Sequence, residues 1–404
     1  MFEREVENLV KEINNNFKIL LMTGPRQVGK TTLLLNLKPK NMGYVTLDDE
    51  VLRNQAIHDP KLFLEEHPYP LLIDEAQYAP NLFSALKMKA DEVGECGMYW
   101  LTGSQQFELM KKASESLAGR VGIINLNSFT YGEIKKNNQK VMFEPTNLKQ
   151  SDPISVNDLF EIIFKGGMPE LYKNKNLKRE LYFQSYIDTY ISRDVREMTK
   201  IGNLEAFKKL IISVASRTGE QLNYSALALD AGVSVPTAKS WLSILVSSGL
   251  VYLLNPYLSS ELKRITHIPK IIFMDTGLAC FLAGWESARD LQLSSNAGHY
   301  LETYIISEII KSYNARGIKP NISYYRDKEK NEIDLIIYKN NTLYPFEIKK
   351  TASPNKSMIK HFEKLKQTKK EIGTGGIICF YDQLLKLDET NYIIPISSVI
   401  NASK

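Results

Sequence analysis

The chain has 404 residues, 43% of them apolar, which is enough for two to four domains with cores of their own. It holds no run of 18 or more apolar residues, so no membrane span is expected, and its three isolated cysteines (Cys96, Cys280, Cys379) exclude a disulfide scaffold and suit a reducing, cytoplasmic compartment. The net charge of +5 is carried after residue 300, where 17 Lys and Arg stand against 12 Asp and Glu, a margin that fits a polyanionic partner and fits plain solubility as well.

Met1 to Asn16 reads as an amphipathic helix with Val6, Leu9, Val10 and Ile13 on one stripe, rather than as a leader segment. Next comes an apolar strand, Ile19 to Met22, that breaks into Gly24-Pro25-Arg26-Gln27-Val28-Gly29-Lys30-Thr31-Thr32. This matches Gly-x-x-x-x-Gly-Lys-Thr, a loop whose backbone N–H groups cradle phosphates. Glycine is needed where phosphate crowds the backbone. Residues 24–32 are therefore the candidate ATP-binding loop, with Lys30 reaching the β/γ-phosphates and Thr31 holding a magnesium ion.

Thr31 to Leu37 should be a helix stopped by Pro39, and Tyr44 to Leu47 a short strand. Pro68 to Gln77 then delivers Asp74 and Glu75 at the C-terminal end of a buried strand, the edge where ligands bind in open α/β sheets. Asp74 would organise the magnesium shell and Glu75 would polarise the attacking water; the plainer alternative is a helix N-cap. The strand Met98 to Thr102 also ends in polar residues, of which Ser104 is preferred over Thr102 and Gln105 as the group that senses the γ-phosphate. Arg120, directly before the strand Val121 to Leu126, is a candidate for neutralising transition-state charge, in cis or from a neighbouring subunit of a homo-oligomer.

GPRQVGKTT, LLIDEAQ, LTGSQQFEL, LAGRV and, later, GGMPE resemble the AAA-type ATPases of bacteria and archaea that carry a C-terminal domain of unknown function. The resemblance runs over nearly the whole chain and implies an α/β P-loop fold of the additional-strand-catalytic-Glu type for the ATPase part. Its expected organisation is an ATPase core over 1–130, a helical lid or linker over 131–205, a winged helix-turn-helix over 206–260 and an α/β nuclease-like domain over 261–404. Within the lid, Leu181 to Met198 reads as a packed helix, where Arg193 and Asp194 match the family pattern and Arg193 is a second phosphate candidate.

Gln221 to Leu254 has helix-turn-helix spacing: a first helix over Ala226 to Asp230, Gly232 in the turn, Ser234 capping a second helix, and a strand over Leu250 to Leu254. Only Thr237 and Lys239 supply base-reading chemistry at the start of the second helix, so a packing or protein-contact role is favoured over direct base reading.

Leu262 to Leu278 resembles the family's Lys-Arg…Pro-Lys, strand, Asp-x-Gly-Leu signature. Beyond it, Glu302 on a helix, Asp334 opening a strand, and Glu347 with Lys349 on the next form the order of a PD-(D/E)XK nuclease-like fold. Asp334 and Glu347 would make a site for a second magnesium, and Lys349 would orient or deprotonate the attacking water. Alternating Glu and Lys on a hairpin is also ordinary surface decoration. Lys356, Lys360, Lys364, Lys366, Lys369 and Lys370 could follow a DNA or RNA backbone, with a solvated face as the default. Two functions remain open from the sequence: an ATPase that gates a nuclease-like, nucleic-acid-interacting domain, or a non-cleaving regulatory switch.

Overall fold

In the computed structural model, residues 2–103, 117–136, 142–190, 203–257 and 267–401 are described. Ser104, Gln105, Arg193 and Asp194 lie outside them. The chain divides into two compact units. One spans Met1–Ser128 with the short stretches Ser247–Gly249 and Asn314–Ile318; the other holds Phe129–Val246, Leu250–Tyr313 and Lys319–Lys404. Among the described residues, no helix is long and apolar enough to cross a membrane.

The first unit is built on five parallel strands: β1 (Ile19–Thr23), β2 (Gly43–Thr46), β3 (Leu71–Asp74), β4 (Tyr99–Thr102) and β5 (Val121–Asn125). Their order in the sheet is β2-β3-β4-β1-β5. Strands β1, β3 and β4 are buried at every residue, which explains their unbroken apolar runs. The extra strand β4 stands between β1 and β3, as the resemblance implies. Because all five strands run the same way, the loops after β1 and β3 open at one sheet edge.

The expected N-terminal helix begins later than its apolar stripe suggests, at Glu7–Asn16, and buries Leu9, Val10 and Ile13. Arg4, just before it, is itself buried.

In the second unit the two helices around Gly232 are Tyr224–Ala231 and Val235–Ser247. Gly232 takes the left-handed backbone that ends the first, and the Ser234 hydroxyl accepts from Thr237 N at 3.3 Å to start the second. An antiparallel pair follows, β6 (Val251–Leu254) with β7 (Lys270–Phe273). Two of the motifs quoted above meet here. Asp275 caps the Thr276–Leu282 helix through Leu278 N (3.0 Å), and its other oxygen accepts from Gly167 N (2.9 Å). A Cβ on Gly166, whose φ is +77°, would collide with Asp275 and Gly277, so glycine is required in that turn.

The larger sheet comprises β8 (Ile322–Arg326), β9 (Glu332–Lys339), β10 (Thr342–Ile348), β11 (Glu371–Ile372), β12 (Gly375–Cys379), β13 (Leu385–Lys386) and β14 (Asn391–Pro395). Its order is β13-β14-β12-β10-β9-β8, with β11 pairing β10. Strands β8 to β10 form an antiparallel meander, whereas β10, β12 and β14 run parallel. The lysine-rich segment is a 3₁₀ helix, Lys356–Gln367, burying Ile359, Phe362 and Leu365 at every third position. Its lysines are not a uniform stripe: Lys364 lies near Asp327 and Glu329, and Lys366 pairs with Glu363.

Candidate nucleotide site and acidic cluster

At the open edge of the five-stranded sheet, the loop after β1 takes backbone angles that side chains disfavour at three positions. These are Gly24 (φ +141°), Gln27 (φ +59°) and Gly29 (φ +91°). A Cβ on Gly24 would overlap the Leu126 carbonyl. Lys30 opens the Lys30–Leu37 helix, and its Nζ folds back onto the Gly24 and Pro25 carbonyls at 3.0 and 2.8 Å. Arg4 supports the loop from behind, donating to the Val28 carbonyl at 2.9 Å and to Asn127 O at 2.7 Å. An anion-binding loop turns its N–H groups inward, so its carbonyls need donors outside; Arg4 provides one.

Thr31 Oγ1 donates to Asp74 Oδ1 at 2.8 Å, joining the first helical turn to the end of β3. Thr102, at the end of β4, donates to the same oxygen and accepts from Glu75 N at 3.4 Å. Tyr44 reaches the other Asp74 oxygen at 3.5 Å. Glu75 has a left-handed backbone (φ +53°), half-buried, with Gln77 hydrogen-bonded to its carboxylate. A positive φ on a non-glycine residue at a strand end is a departure that catalytic positions often carry. Thr31 and Asp74 are hard oxygen donors side by side, a set that fits magnesium.

Arg120 is a correction. It precedes β5 in register with the start of β1, so it stands at the sheet edge opposite the phosphate loop. There its guanidinium forms a forked pair with Asp91, at 2.5 and 2.8 Å. Register with β1 therefore excludes the in-cis role: an arginine that starts a parallel strand sits at the wrong end of it.

In the second unit, Glu302, Asp334, Glu347 and Lys349 do come together. Strand β9 places Glu332 and Asp334 two residues apart on one face, β10 supplies Glu347, and the Ala297–Asn314 helix supplies Glu302. Asp334 Oδ2 accepts from Ile348 N (2.8 Å) and Lys349 Nζ (2.9 Å), and Lys349 also meets Glu347 Oε2 at 2.6 Å. Three members of the cluster were not foreseen, Glu332 among them. Lys270, at the start of β7 and only 2% exposed, bonds Glu302 Oε1 at 2.6 Å and Glu332 Oε1 at 2.5 Å. Arg326 holds the other Glu332 oxygen at 2.6 Å.

The electrostatics follow from this packing. Burial pushes the Glu302 carboxyl up, only partly countered by Lys270, to about 7. Burial and the adjacent Asp334 charge push Glu347 up to about 9, despite Lys349. Glu347 thus carries a proton near neutral pH, hydrogen-bonded towards Asp334. For Asp334, burial is outweighed by Lys349, Lys270 and the Ile348 amide, and its pKa falls. Burial also opposes the charge on Lys270, yet Glu302, Asp334 and Glu332 overcome it and raise its pKa. Among the described residues, one oxygen each of Glu302, Glu332 and Asp334 lies within 4.8 Å of the others, a set that shares Asp334 with the expected pair of Asp334 and Glu347.

A phosphate loop on β1, acidic residues closing β3 and an intervening β4 define an AAA-type P-loop ATPase domain. Comparison with known families agrees: residues 16–135 match a family described as an AAA domain. Residues 156–289 and 297–399 match two families described as domains of unknown function, DUF8612 and DUF4143. Among individual proteins, an uncharacterized protein of Mycobacterium tuberculosis is 28% identical over 340 residues, covering 83% of this chain and 71% of the relative. An uncharacterized protein of Mycobacterium bovis gives the same figures. A Walker-type ATPase of Pyrococcus abyssi is similar in structure at 16% identity, covering 70% of this chain and 96% of that one, with a TM-score of 0.43.

Proposed function

We propose that the chain is a magnesium-dependent ATP-hydrolysing protein whose nucleotide state is coupled to a C-terminal nuclease-like module that interacts with nucleic acid. The observation that carries the ATPase part is the 2.8 Å contact between Thr31 Oγ1 and Asp74 Oδ1 at the mouth of the phosphate loop. In this reading residues 24–32 clasp the triphosphate and Lys30 exchanges its loop carbonyls for phosphate oxygens. Thr31 and Asp74 would hold magnesium, which when bound supplies positive charge to the phosphates. Glu75, oriented by Gln77, takes the proton of the attacking water.

Phosphate release with purified protein tests this. Lys30→Ala should abolish ATP binding, and Glu75→Gln should keep binding while lowering turnover by about 10²-fold or more. Wild-type turnover in both variants would refute it.

A second reading, a non-cleaving regulatory or scaffolding switch acting on a protein or DNA partner through the winged-helix and C-terminal parts, is favoured by the ammonium of Lys270 lying between Glu302 and Glu332. Nicking of supercoiled plasmid in magnesium, wild type against Asp334→Ala, separates the two: only cleavage lost in the variant supports a nuclease.

A further inference from the structure

We propose that Lys270 is a built-in replacement for a divalent cation, so that the acidic cluster of the larger sheet is complete without metal. The proposal deepens the non-cleaving reading, but its test reads metal uptake and not strand scission, so the two can fail separately.

The argument is first one of place. Glu302, Glu332 and Asp334 each aim an oxygen into a space 4.8 Å across, close to the ~4.2 Å that separates opposite ligands of a six-coordinate magnesium or manganese ion. Lys270 Nζ bonds two of these carboxylates, at 2.6 and 2.5 Å. An ion on the Glu302 and Glu332 oxygens would collide with that nitrogen. Nor is Lys270 a casual visitor: it is 2% exposed, its chain is held in β7 by pairing with Leu254, and its ammonium lies 5.2 Å from the centre of the Tyr324 ring. Gln221 Nε2 and Ile268 O fix the Tyr324 hydroxyl in turn.

The second argument is charge. The four carboxyls of Glu302, Glu332, Asp334 and Glu347 already face three cations, Lys270, Lys349 and Arg326. The cluster therefore has little surplus negative charge, at most one unit, to offer a dication. A hard cation needs such a surplus to offset its lost hydration.

Manganese binding, followed by the loss of the free-ion paramagnetic resonance signal from the full, nucleotide-free chain, tests the proposal. Wild type and Glu332→Gln should bind alike, with no saturable site that the substitution removes. Lys270→Ala should gain one saturable site, at least about tenfold tighter than any binding by the wild type, which Lys270→Ala/Glu332→Gln loses again. A wild-type site abolished by Glu332→Gln would overturn the proposal. Folded Lys270→Ala that binds no manganese would overturn it too. Should Lys270→Ala not fold, the comparison of wild type with Glu332→Gln still decides, because Glu332 is the most exposed of the three acids.

Discussion

Glu347 and Glu302 show how a single buried carboxyl sets the response to pH. Both have pKa values raised by burial, to about 9 and about 7. A carboxyl raised on folding binds a proton that the unfolded chain releases. Its contribution to stability is full below the ordinary carboxylate range and is lost as pH rises through the folded value. Asp334, lowered, works the other way and loses its contribution in acid. Thermal stability of the second unit should therefore decline between about pH 5 and 9, and Glu347→Gln, neutral throughout, should flatten the upper half of that decline. A melting profile equally steep in wild type and variant would refute a protonated Glu347. The four expected residues of this cluster were legible because order and strand spacing place them. Lys270 was not, since its distance in sequence hides a contact made only by tertiary packing, although Pro269-Lys270 stands in the quoted signature. Glu332 was the easier miss: it shares the face of Asp334 two residues away.

At the scale of elements, turns and strand ends do the positioning. Gly24→Ala should destabilise the first unit by about 2 kcal/mol or more, since strain at positive φ adds to overlap with Leu126. Denaturant unfolding would check it. Asp275→Ala removes acceptors from both Leu278 N and Gly167 N, and about 1–3 kcal/mol should be lost by the same measurement. Strand identities were readable from apolar runs ending in chemistry, as Leu71 to Asp74 shows. Helix type was less so: the lysine-rich segment has a three-residue apolar repeat, Ile359, Phe362 and Leu365, that suits 3₁₀ geometry, but its many lysines drew attention to charge instead. Arg120 illustrates the limit of position in sequence. Whether a residue sits at the ligand edge depends on strand direction, and residues before a parallel strand never do.

For the whole molecule, the magnesium-dependent ATPase proposed above should take up magnesium only together with nucleotide. Isothermal titration of magnesium into protein with a non-hydrolysable ATP analogue should give one equivalent, and none without it; two equivalents would implicate the C-terminal sheet as well. The composition and the phosphate loop made the ATPase legible, whereas its partners leave no comparable mark, since Thr237 and Lys239 alone do not read bases. Lys270 belongs to the run matched at 156–289, while all three acids it serves or neighbours fall within 297–399. A clone trimmed to the later stretch would therefore lose the ammonium that Glu302 and Glu332 share, keeping only Arg326 and Lys349 as counter-charge. Such a fragment should scavenge manganese avidly, and any metal dependence measured on it would be an artefact of the cut.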